Sequence, residues 1–176
     1  MSLRTWGWRV GAGMLVALSG CASLAPTHAP DVLSGRLSVR VDGQPGRSVS
    51  AGFELAGNAE RGQLLLSGPL GTTAAQASWQ PGQALLRSGG SENRHADLDS
   101  LGQAALGEAL PMAALFDWLH GRAWAGAPAQ PRTDGQPGFL QLGWQIDLVR
   151  WADGALEAVR LAPPVVTVRA RVERAP

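Results

Sequence analysis

The sequence predicts a mainly β protein with helices, an α+β fold built on an antiparallel sheet. Two regions of period-two alternation flank a central stretch whose apolar residues recur at helical spacing. Glycine- and proline-bearing turns separate the alternating segments at hairpin distances. Successive hairpins favour antiparallel pairing, and a helix with one apolar stripe can cover the concave face of such a sheet.

In the first strand Leu37, Val39 and Val41 alternate with Arg36, Ser38 and Arg40, and Asp42-Gly43-Gln44-Pro45-Gly46 turns the chain. Val49, Ala51, Phe53 and Leu55 form the second, leaving one face wet. After a turn over 57–61, Leu64-Leu65-Leu66 runs into Ser67-Gly68-Pro69-Leu70-Gly71-Thr72. The fourth strand sets Thr73, Ala75, Ala77 and Trp79 on one face, and Pro81-Gly82 returns it to a fifth over 83–87. Asp97 or Asp99 caps a short helix bearing Leu98, Leu101 and Ala105, which Gly107 ends. Pro111 opens a second helix, with Met112, Leu115, Phe116 and Leu119 at i, i+3, i+4 and i+7. Trp118 borders that stripe, His120 faces the last carbonyls and Gly121 takes the C′ position. Residues 125–138, with three prolines and three glycines, read as a long surface loop. Strands resume with Leu142, Trp144, Ile146 and Leu148. Asp153-Gly154 signals a hairpin into 156–161, and Val166, Val168, Ala170 and Val172 make the last strand.

The N-terminus addresses the chain. Arg4 and Arg9 precede an apolar run over 10–19, too short to span a bilayer, which takes roughly 20 apolar residues. The run ends in Leu18-Ser19-Gly20-Cys21, which resembles the lipobox of bacterial lipoproteins and implies cleavage before an acylated Cys21. The expected organisation is a signal peptide over 1–20, a lipidated N-terminus and tether over 21–34, and a folded domain over 35–176. Ala22 stands where an aspartate commonly retains lipoproteins in the inner membrane; the same resemblance therefore implies a lipid anchor on the periplasmic face of the outer membrane. Cys21 is the only cysteine, so no intramolecular disulfide forms. Without Arg4 and Arg9, 13 arginines face 14 acidic residues and there is no lysine. A near-neutral chain offers no clustered cations for nucleic acid.

Motifs for chemistry are absent from the sequence. His28 lies in the tether, His95 in a polar loop and His120 at a helix end, none at metal-ligand spacing. There is no G-x-S-x-G elbow and no phosphate-cradling glycine loop. Neither an enzyme, a metal nor a cofactor is expected. Inward-facing Ala75 and Ala77 beside Trp79 suit either a packed core or a wall with room behind it.

Gly35-Arg36-Leu37-Ser38-Val39, the 64–71 run ending in Pro69-Leu70-Gly71, Leu110-Pro111 with Trp118-Leu119-His120-Gly121, and Phe139-Leu140-Gln141-Leu142-Gly143-Trp144 occur in series. In order and spacing they resemble the LolB family of outer-membrane lipoprotein receptors from about Gly35 onward. The resemblance implies an open antiparallel half-barrel with helices covering an apolar cavity. It also implies a monomer that takes lipoproteins from a periplasmic carrier of the LolA type and inserts them into the outer membrane. Pro69, Leu70 and Gly71 then correspond to the family's protruding delivery loop. The acyl-chain cavity falls to Phe53, Leu55, Leu64, Leu66, Trp79, Leu115, Trp118, Leu119 and Trp144, each equally suited to a plain core. Two other uses of the same half-barrel are a protein-docking lipoprotein and a lipid-binding envelope sensor.

Overall fold

The computed structural model describes residues 32–173; Cys21 and the expected signal and tether up to residue 31 lie outside them. The described chain runs β1 (Val32–Val41), β2 (Val49–Gly57), β3 (Gly62–Ser67), β4 (Thr73–Gln80), β5 (Gln83–Ser88), β6 (Ser91–His95), α1 (Leu98–Leu106) and α2 (Met112–Leu119). It continues with β7 (Ala129–Pro131), β8 (Gly138–Gln141), β9 (Trp144–Asp147), β10 (Ala155–Arg160) and β11 (Val166–Glu173).

All these strands belong to one antiparallel sheet, ordered β6-β5-β4-β3-β2-β1-β11-β10-β9-β8-β7. Each strand pairs with a chain neighbour except at one seam, where β1 meets β11 with Leu37 opposite Ala170 and Val39 opposite Val168. Strands β6 and β7 remain as free edges. The sheet is therefore a half-barrel with a gap, and α1 and α2 occupy its concave side. Period two accounts for the burial: Leu37, Val39, Phe53, Leu55, Leu64, Leu66, Ala77 and Trp79 share one core with Leu101, Leu115, Phe116 and Leu119 from the helices.

Both candidate helix caps are used, on different helices. Asp97 accepts the Ser100 N–H at 2.8 Å while its own N–H donates to the Ser100 hydroxyl at 3.3 Å, a capping box on α1. Hydrogen bonds from the Ser100 backbone and hydroxyl hold the Asp97 carboxyl below the usual aspartate range. Asp99 reaches the next helix, accepting the Met112 N–H at 3.0 Å where Pro111 supplies no side-chain cap. At the far end the Gly121 N–H donates to Trp118 and the Arg122 N–H to Asp117. This Schellman closure requires the positive φ of 73° that Gly121 adopts. His120 Nδ1 donates to the Phe116 carbonyl at 2.8 Å, as its place at the helix end suggests.

The departures from expectation have local causes. β1 starts at Val32, three residues before Gly35, because residues 32–34 still pair with 54–56 of β2. Polar β6 carries no alternation signal, yet it continues the β5 hairpin through Gly89-Gly90. The expected loop over 125–138 contains β7 and is pinned by a buried guanidinium. Arg132 donates to Asp134 through Nε (3.0 Å) and Nη2 (2.5 Å), and to Asp147 through Nη1 (2.6 Å). Leu142 is not an inward strand residue. The reversal pairing Gln141 with Trp144 leaves Leu142-Gly143 as its two turn residues, at φ 53° and 77°. A primed turn favours asparagine or glycine there, and a leucine in this region costs on the order of 1–3 kcal/mol. Its side chain is exposed.

Candidate functional site: the covered concave face and its mouth

Alternation on β1–β3 sends Leu37, Phe53, Leu55 and Leu64 inward, and the helical stripe sends Leu106, Met112, Leu115, Phe116 and Leu119 to meet them. Between them remains a cavity of about 20 Å³, walled by these apolar residues. That is scarcely the volume of one water molecule. The helices thus plug the half-barrel. A larger groove of about 540 Å³ lies outside the sheet near Arg61, Gln63, Ser78, Gln80 and Gln83. Ala56, Trp79 and Leu85 line it as well, so its walls are mixed, and it lies apart from the helix-covered face.

Of the nine expected wall residues, Phe53, Leu55, Leu64, Leu115 and Leu119 surround the cavity. Leu66, Trp79, Trp118 and Trp144 are buried beside it in the same core. Trp79 packs at 5.4 Å against Phe116, a wall residue, and its Nε1 donates to the Asn58 carbonyl at 2.9 Å. Trp118 and Trp144 stand as a tilted pair 5.9 Å apart.

Trp118 also identifies a residue that periodicity passes over. Gln141 is buried, and its Oε1 accepts from Trp118 Nε1 (2.8 Å) and the Trp124 N–H (3.0 Å). Its Nε2 donates to the carbonyls of Trp124 and Ala127, each at 2.7 Å. Every polar position of this amide is satisfied, joining α2 and the following loop to β8. The only sequence signal is a glutamine within an otherwise apolar Phe139-Leu140-Gln141-Leu142 run.

At the mouth, the α1–α2 loop carries Glu108, whose side chain is 7% exposed. Arg47, from the β1–β2 turn, places Nη2 2.7 Å from Glu108 Oε1, and Arg160 at the end of β10 lies 3.8 Å from Oε2. The Arg47 N–H is directed to the Gly107 carbonyl at 3.0 Å, which leaves Glu108 Oε1 in an ion pair without a directed hydrogen bond. Arg160 also donates to the Ala109 and Pro164 carbonyls and lies 5.7 Å over the Trp144 ring. The helical plug is therefore tied to the rim on two sides. None of these three charges stands out in the sequence, because their spacing exists only across the fold.

The β3–β4 turn lies at the same end of the sheet. The Gly71 N–H donates to Gly68 at 3.0 Å and the Gly68 N–H to Thr72 at 2.9 Å, closing the turn at its base. Pro69 fixes the turn's ascent, and Leu70 projects from its tip 92% exposed. No group of three or more potential metal-ligating side chains occurs among the described residues.

An open antiparallel half-barrel, its apolar face covered by two helices and a leucine projecting beside its mouth, defines the class. The family model described as "Outer membrane lipoprotein LolB" matches residues 32–172. Relatives named outer-membrane lipoprotein LolB are similar over most of their length. The one from Bordetella petrii is 36% identical, covering 85% of this chain and 81% of its own. That from Cupriavidus necator is 37% identical, covering 86% and 82%, and that from Halorhodospira halophila is 32% identical, covering 84% and 83%. The chain belongs to the LolB family.

Proposed function

We propose that this protein is a lipid-anchored outer-membrane receptor that accepts lipoproteins from a periplasmic carrier and inserts them into the outer membrane. The carrying observation is the apolar interface between β1–β3 and the helices, an internal surface that opens only when the plug moves. Each methylene removed from water is worth about 0.8 kcal/mol, so the acyl chains of one lipoprotein cost on the order of tens of kcal/mol to expose. Met112, Leu115, Phe116 and Leu119 together hold about 6–12 kcal/mol of burial at roughly 1.5–3 each. An acyl chain replacing them against Phe53, Leu55 and Leu64 exchanges one apolar contact for another. Loading then needs little net exposure and no covalent step.

In this reading Cys21 holds the protein at the membrane, the Glu108 ion pairs keep the empty plug seated, and Leu70 directs release toward lipid. The test is transfer of a lipoprotein bearing brominated acyl chains from a loaded carrier to the mature protein. Trp79 emission should fall, because its ring contacts Phe116 at the cavity wall. Cargo that leaves the carrier and binds without changing tryptophan emission refutes the placement in this cavity; cargo that stays on the carrier refutes the receptor role.

A further inference from the structure

We infer that Leu142 and Leu161 form a second membrane-entering edge beside the Leu70 loop, so that the whole mouth, and not one loop, meets the bilayer. This inference rests on the receptor reading above.

In the antiparallel order, the β5–β6, β3–β4, β1–β2, β10–β11 and β8–β9 turns all emerge at one end. The β5–β6 turn is Gly89-Gly90, flanked by the cross-strand Arg87–Glu92 ion pair, and three others carry neither charge nor such a flank: Gly68–Thr72, Leu161–Val165 and Leu142–Gly143. Each presents a leucine to solvent, Leu70 at 92%, Leu161 at 64% and Leu142 at 47% exposure. The β1–β2 turn between them adds Asp42 and Arg47, the latter engaged with Glu108. At the opposite end exposed Val32 and Val149 also occur, but the turns there hold Glu60, Arg61, Arg150 and Asp153. The uncharged apolar rim is a property of the mouth.

Leu142 adds an independent observation. Its backbone occupies a conformation that suits asparagine or glycine, and its side chain is half out in water. Neither the turn nor the core explains a leucine at this place. Strain retained at an exposed apolar tip points to contact with something apolar outside the fold.

The tether length favours the bilayer as that partner. β1 begins at the end opposite the mouth, eleven residues after the expected anchor at Cys21. Eleven residues reach at most about 36–40 Å. The ten residues of β1 span roughly 30 Å. That tether length lets the mouth turn to face the membrane that holds its own anchor.

With Cys21 acylated, a cysteine introduced by Leu70→Cys, Leu142→Cys, Leu161→Cys or Glu60→Cys is the sole free thiol for an environment-sensitive dye. The labelled, lipidated proteins are reconstituted in phosphatidylethanolamine–phosphatidylglycerol vesicles with or without doxyl-labelled lipid. Doxyl lipid should reduce emission at 70, 142 and 161 at least twofold and leave position 60 unchanged. Quenching at 70 without quenching at 142 and 161 overturns this inference alone. No quenching at any of the three also removes the membrane-facing mouth from the receptor reading. A dye response at 142 and 161 only when carrier is added, with no effect of doxyl lipid, would make this edge a protein contact and equally overturn it. Leu142→Asn provides a second check: its thermal midpoint should rise, acceptance of cargo should persist, and delivery into vesicles should fall threefold or more. Unimpaired delivery counts against the inference.

Discussion

Replacing Glu108 by glutamine should loosen the plug without removing any of its apolar contacts. At an effective dielectric of about 20, a charge pair at about 4 Å attracts by about 4 kcal/mol, and Arg47 is closer than that. Desolvation of a carboxylate that is 7% exposed offsets much of this attraction. Arg47, half exposed, and Arg160, with its carbonyl and Trp144 contacts, also retain partners or water when the charge is lost. The net loss should be about 1–2 kcal/mol, below the roughly 3–5 expected when a fully buried ion is stranded. For a domain of this size that lowers the thermal midpoint by about 3–8 °C. If the pair acts on the seated plug, the open population rises by about 5–30-fold, and uptake of an acyl probe accelerates by the same factor while opening limits the rate. Stopped-flow tryptophan quenching of wild type and Glu108→Gln, alongside thermal melts, reads both quantities. A lower midpoint with unchanged uptake would show that Glu108 supports the fold and does not hold the plug. An unchanged midpoint and unchanged uptake would show that the ion pairs contribute nothing.

Leu70→Glu should fold normally, accept cargo from the carrier and fail to pass it to liposomes, because an unpaired carboxylate is strongly disfavoured in hydrocarbon; a two-step transfer assay checks this, and loss of acceptance would assign Leu70 to the cavity function instead. Acid should loosen the β7–β9 region before the β1–β11 seam. At Asp147 burial pushes the pKa up, but the Arg132 hydrogen bond and the Val149 N–H more than offset it; Arg132 and the Gln136 N–H hold Asp134 down. Both folded-state values lie below their unfolded values, roughly 3.9, so the stabilisation is present above that pH and lost as pH falls through the folded values. Hydrogen-exchange protection over 129–147, taken relative to the intrinsic rate at each pH, should therefore fall below about pH 4 in wild type, whereas Arg132→Met should already be weakly protected at pH 6; equal protection in the two proteins at pH 6 would dismiss the ion-pair cluster as the cause.

The sheet was legible because one face is dry and the other wet, so Leu37 to Val41, Phe53 and Leu55, and Val166 to Val172 alternate without interruption. Both helices were legible from their caps and stripe. β6 and β7 were not, since an edge strand can be held by pairing alone and Ser91 to His95 buries little. The wall residues Phe53, Leu55, Leu64, Leu115 and Leu119 followed from periodicity together with the family resemblance. The placement of Trp118 did not, because its indole is oriented by Gln141 from a strand 23 residues away. Glu108, Arg47 and Arg160 were invisible for a related reason: single charges in loops have no period, and only the closed seam brings them to one place.

Under the proposed function, the unpaired edges at β6 and β7 also bear on how a lipid-bearing cargo could enter. A fully closed ring would admit an acyl chain only end-on, and a ligand joined to a folded polypeptide would have to be threaded. A split collar can widen along its gap without breaking a ladder hydrogen bond, since none crosses from one edge to the other. Lipid tails can then slip in sideways while the attached protein stays outside in water. Under the proposed function, such an entry route would leave the size and shape of the attached protein outside the barrel, so that one small domain could serve cargoes larger than itself.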